Sequence, residues 1–66
     1  MMVTVNGDRT ECLDGLTVDA LVQQRGRRQP HVAVAVNSTV VPRSAWPSTP
    51  LHDGDAVELL SAVAGG

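Results

Sequence analysis

The chain contains no phenylalanine, tyrosine, isoleucine or lysine, and only one tryptophan, Trp46. Without large aromatics a core has to be assembled from many small aliphatic contacts, and valine leads the apolar set with eleven copies. Branching at Cβ favours strands over helices, so strands are expected to dominate. The single cysteine, Cys12, cannot close an internal disulfide. Five arginines face seven acidic residues, a net charge of −2, which removes the long-range attraction that brings a nucleic-acid binder to phosphates. No nucleic-acid partner is expected, and a basic partner surface fits this charge better. The longest uninterrupted apolar run, Val32 to Val36, falls far short of the roughly 20 residues that cross a bilayer, so no membrane partner is expected. The N-terminus lacks the charged start, long apolar middle and small-residue exit of a secretion signal, which makes the cytoplasm the expected compartment.

A length of 66 residues allows one small domain. Folding at this size buries only about 60% of the surface of the unfolded chain, so a deep catalytic cavity would remove core that the protein needs. Stand-alone catalysis is not expected. His31, His52 and Cys12 lack any metal-ligand spacing, and neither histidine sits near a serine or cysteine in a nucleophile arrangement. No metal site and no bound cofactor are expected. Asp53 and Asp55 share a turn, where carboxylates serve backbone hydrogen bonding more often than acid-base work. Arg25, Arg27 and Arg28 cluster where cations complement a helix C-terminus. Cys12 reads as a small core residue rather than a reactive thiol.

The periodicity gives an order of elements. Met1, Val3 and Val5 alternate with Met2 and Thr4 up to Asn6-Gly7, a pair suited to a type I′ turn, so a hairpin opens the chain and returns over about Arg9 to Leu13. From Thr17 the period lengthens: Val18, Leu21 and Val22 share a helical stripe, with Thr17 as N-cap, Asp19 in the first turn and Gly26 just past Arg25. So short a helix holds only when packed on a sheet. His31 to Val36 reads as the middle strand of that sheet, covered on both faces. Asn37-Ser38 turns into a brief strand at Thr39 to Val41, ended by Pro42. Arg43 to Trp46 fits a single helical turn that tucks Trp46 against the core, and Ala56 to Leu60 is the last strand, with Val57 and Leu59 on one face. The order ββαβββ, a mixed sheet packed on one helix, is an α+β arrangement of the β-grasp type. Residues 1–60 form the β-grasp domain and 61–66 an extended, flexible C-terminal tail.

The second half of the chain resembles the ThiS family of sulfur carriers for thiamin biosynthesis. The resemblance rests on Asn37, Val41-Pro42-Arg43, Trp46, Asp53-Gly54-Asp55 and the ending Ala64-Gly65-Gly66. It implies a ubiquitin-like carrier that is not itself an enzyme. Gly66 would carry the adenylate and then the thiocarboxylate, after activation with ATP by a separate ThiF-like adenylyltransferase. A sulfur donor such as a cysteine desulfurase would supply the sulfur, and a ThiG-like thiazole synthase would receive it. The small subunit of molybdopterin synthase shares this fold and chemistry and stands as the alternative, followed by a plain β-grasp interaction module or protein modifier. With no lysine, self-linked polymers through that residue are impossible.

The tail chemistry has a physical basis. A carboxylate is a poor electrophile until converted to an acyl adenylate, which requires holding it in line with a nucleotide phosphate. Residues 61–66, if extended, reach roughly 20 Å, and Gly65 and Gly66 have no Cβ to obstruct a narrow channel. Two glycines at usage of about 7% coincide by chance roughly once in two hundred chains, so the doublet counts chiefly beside the upstream motifs. Ala64 belongs to this access segment. Val63 either seats in a partner pocket or continues the last strand. Exposed aliphatic residues on the outer sheet face, near the tail, are the expected docking surface.

Overall fold

In the computed structural model, which describes residues 1–26 and 32–61, Asn6 and Gly7 both hold positive φ, 51° and 86°. This is the backbone of a type I′ turn, whose twist matches the strands it joins. It links β1 (Met2–Val5) to β2 (Asp8–Glu11). The second strand stops short of the expected Leu13, although the Cys12 N–H still donates to the Met1 carbonyl at 2.8 Å. Cys12 is half-buried against the core, while Leu13, in the following turn, is exposed.

The helix α1 spans Val18–Gln24. Its free N-terminal donors are satisfied from two directions: Thr17 Oγ1 accepts from Ala20 N at 3.2 Å, and the Thr49 carbonyl accepts from Val18 N at 2.9 Å. Gly26, at φ 65°, ends it in the left-handed conformation expected after a helix. Val18, Leu21 and Val22 are its buried stripe.

A second positive-φ pair, Asn37 and Ser38, turns β3 (Val32–Val36) into β4 (Thr39–Val41). A 3₁₀ helix, η1, then runs over Arg43–Ser48, longer than the one turn expected, and β5 (Ala56–Ser61), one residue longer than expected, is the last described element. The sheet order is β2-β1-β5-β3-β4, with β5 parallel to β1 and antiparallel to β3. This is the mixed five-stranded sheet on one helix that the sequence implies, with one correction. The middle strand is β5, not β3. The helix covers one face only, so the Val/Ala alternation of β3 sorts by size: Val32 and Val34 are buried and Ala33 is exposed.

The core collects Val3, Val5, Val32, Val34, Val57 and Leu59 from the sheet, the helical stripe, Leu51 and Trp46. Trp46 is 1% exposed. Its Nε1 donates to the Val41 carbonyl at 2.9 Å, and the Arg43 guanidinium lies over its ring, 4.5 Å from the centroid. Trp46→Ala is expected to cost about 3–5 kcal/mol, most of the stability of so small a domain. Circular dichroism in a urea titration checks this, and a wild-type midpoint would remove Trp46 from the role of core anchor.

Candidate functional site

The last strand arrives at the centre of the sheet, and its parity divides its side chains. Val57 and Leu59 enter the core, whereas Ala56, Glu58 and Leu60 face outward and are exposed. The register sets Leu60 opposite Ala33, Glu58 opposite Ala35, and Ala35 opposite Val40. Paired residues share a face, so Leu60, Ala33, Ala35 and Val40 make an aliphatic strip across β5, β3 and β4, interrupted by Glu58. Leu60 and Val40 are 57% and 70% exposed. The strip lies on the face away from the helix and includes the residue just before the last residue of β5.

Asparagines hold the backbone of β5 at both ends. Near its start, the Asn37 Oδ1 accepts from Ala56 N at 3.0 Å, its Nδ2 donates to Asp55 Oδ1 at 2.9 Å, and its N–H donates to the Ala56 carbonyl at 2.7 Å. Toward its end, the Asn6 Oδ1 accepts from Leu59 N at 2.8 Å and Nδ2 donates to the Leu59 carbonyl at 3.3 Å. Asp53 Oδ1 accepts from Met2 N at 2.7 Å, tying the turn it shares with Asp55 to the start of β1, and Asp55 Oδ2 accepts from His52 N at 2.8 Å within the turn. Both are backbone ligands, as their place in a turn implies. Among the described residues, no three histidine, cysteine or acidic side chains are grouped to hold a metal ion, and no helix is long and apolar enough to cross a membrane.

The expected site residues Gly66, Gly65, Ala64 and Val63 lie outside the described residues, as do Arg27, Arg28 and His31. The other motif residues are brought together pairwise: Asn37 with Asp55, Arg43 and Val41 with Trp46. Their visible work is to build the fold around β5. Sequence reasoning identified Asn6 only as a turn former and did not find its bond to Leu59, because 53 residues separate the partners and nothing local signals the pairing.

The family model for the ThiS family matches residues 3–66. The chain belongs to the ThiS family. It is 36% identical, over the full length of both chains, to the sulfur carrier protein ThiS of Escherichia coli strain K12. It also resembles the crystal structure of the thiamine biosynthesis protein ThiS from Geobacter metallireducens, with a TM-score of 0.85 at 36% identity and full coverage of both chains. A thiazole synthase from Paramagnetospirillum magneticum is 32% identical to the whole of this chain over 20% of its own length. The ThiS-family β-grasp fold and the role of sulfur carrier for the thiazole of thiamin thus agree with the resemblance drawn from the motifs.

The parity of β5 makes a direct prediction. Leu60→Ser, on the open face, is expected to shift unfolding free energy by no more than about 0.5 kcal/mol, whereas Leu59→Ala, one residue away and 5% exposed, should cost about 2–5 kcal/mol. Paired urea titrations read the difference, and equal costs would refute the assignment of faces.

Proposed function

We propose that the chain carries sulfur as a thiocarboxylate on Gly66, with Gly65, Ala64 and Val63 giving that carboxylate access to its partners. The observation that carries this reading is the likeness to a sulfur carrier over all 66 residues, with Ala64-Gly65-Gly66 inside the segment that the family model matches. ATP is consumed by a ThiF-like adenylyltransferase: a Gly66 carboxylate oxygen bonds to the α-phosphorus and pyrophosphate leaves. The outer sulfur of a persulfide on a donor such as a cysteine desulfurase then bonds to the acyl carbon and AMP leaves, and a thiol reduces the resulting acyl disulfide, freeing the thiocarboxylate and leaving a disulfide behind. No step asks this chain for an acid, a base or a bound cofactor; it supplies an acyl group that can be positioned. The cytoplasm is the proposed compartment, and the domain of residues 1–60 carries residues 61–66 as its tail, of which Ser61 is still paired with Val32 in β5.

The sulfur acceptor in this reading is a thiazole synthase, and the aliphatic strip of Leu60, Ala33, Ala35 and Val40 is the surface that meets it. Support comes from the thiazole synthase that contains a segment similar to this whole chain, which fits a carrier and a synthase working in contact. The same likeness favours the thiamin branch over the pterin branch. Docking through the strip would bury aliphatic surface at about 25 cal/mol per Å² and bring the tail to the synthase at high effective concentration.

Incubation with ATP, a ThiF-like enzyme, a sulfur donor and a thiol reductant is expected to exchange one oxygen for sulfur at the C-terminus, read by intact mass. Deletion of Gly66 should abolish the exchange and leave the unfolding midpoint unchanged. A wild-type chain that never gains sulfur would end this proposal. Leu60→Asp is expected to weaken binding to the thiazole synthase at least about tenfold, and an unaltered Kd would place the docking surface elsewhere.

A further inference from the structure

We infer that Asn6 is a positioning residue for sulfur transfer, acting by fixing the backbone of Leu59 where the final strand loses its neighbour β1; this rests on the carrier reading above. Pairing between β1 and β5 covers only Thr4 with Ala56 and Val5 with Val57. Its bonds run from Thr4 N to the Asp55 carbonyl and from Asn6 N to the Val57 carbonyl, both 2.9 Å. The next β5 groups in that series are the N–H and carbonyl of Leu59. At this point the chain of β1 has already turned away, with Asn6 at φ 51°. The Asn6 carboxamide takes the place of the missing peptide, accepting from Leu59 N at 2.8 Å and donating to its carbonyl at 3.3 Å. A primary amide offers the same donor and acceptor pair as a backbone peptide, so it extends the parallel ladder by one residue.

Leu59 precedes Gly66 by seven residues, and Leu60, the strip residue nearest the tail, follows it directly. β3 holds one edge of β5 through Ser61, so a partner that grips both the outer face and the terminal carboxylate meets a fixed strand only if the other edge, which β1 leaves after Val57, is held as well. If Leu59 frays on its β1 side, the competent arrangement becomes a fraction of the population, and apparent affinity falls by that fraction. The clamp therefore acts on KM rather than on kcat.

Asn6→Gly tests this, because glycine accepts the positive φ of the turn while removing the carboxamide. The matched control is Asn37→Gly, which deletes a comparable carboxamide at a second positive-φ turn, at the start of β5 and away from the tail. At a temperature where both variants are fully folded, Asn6→Gly is expected to raise the KM of the thiazole synthase for the sulfur-charged carrier by about 3–10-fold with kcat within about twofold, and to accelerate amide exchange at Leu59 by at least about tenfold. Asn37→Gly should leave both kinetic constants within about twofold. Equal KM effects in the two variants, or an unchanged KM in Asn6→Gly, overturn the inference while the carrier reading stands. A wild-type chain that gains no sulfur overturns both.

Discussion

The backbone of β5 has to be satisfied on both flanks, and neither neighbour runs its full length beside it. β1 gives it two residue pairs and β3 gives five. A buried strand with an unpaired N–H or carbonyl loses the desolvation cost of that group, about 1–3 kcal/mol. Asn6 and Asn37 resolve this by placing side-chain amides where backbone runs out. Both occupy the first position of a positive-φ turn, so each turn reverses its hairpin and also holds a strand belonging to neither turn. The central strand is thus secured by residues distant in sequence, and the order of the sheet follows from it.

This arrangement suits a core built from valine. Each valine buries modest area, so stability depends on covering one continuous layer without gaps. The seven-residue helix covers part of the sheet, and η1 brings Trp46 to fill the remainder. Arg43 over the ring and the indole bond to Val41 fix the orientation of the one large side chain available. The bonds from Val18 to Thr49 and from Leu51 to Leu16, 2.9 and 2.8 Å, stitch the helix start to the segment that follows η1.

Local chemistry made most of the fold legible. Asn6-Gly7, Thr17, Gly26, Pro42 and the alternation of Val57 and Leu59 each announce an element through a constraint acting within a few residues. The position of β3 was misjudged because an unbroken apolar run looks the same whether alanines are covered or merely small. Only the parallel pairing of β1 with β5, a contact between the two ends of the domain, reveals the middle strand. The motif residues shared with sulfur carriers were equally legible, but their physical role was not. Asn37, Asp55 and Trp46 act through partners that no local pattern discloses, and the terminal glycines lie outside the described residues, so their part rests on the proposed covalent chemistry.

In the proposed reading β5 combines folding, docking and delivery in one element. Its inward residues Val57 and Leu59 stabilise the core, its outward Leu60 is exposed, and its backbone at Leu59 is bonded to the Asn6 amide. Because alternate residues point to opposite faces, a change at Leu60 leaves the core untouched, and one at Leu59 leaves the docking surface chemically intact. The two duties can therefore vary independently in sequence. The backbone is the exception, since parity gives it no second face; fixing where it leaves the sheet falls to hydrogen bonds from outside the strand. In the inference drawn above, that makes a turn asparagine, far from Gly66 in sequence, a point of control over where the carried sulfur is presented.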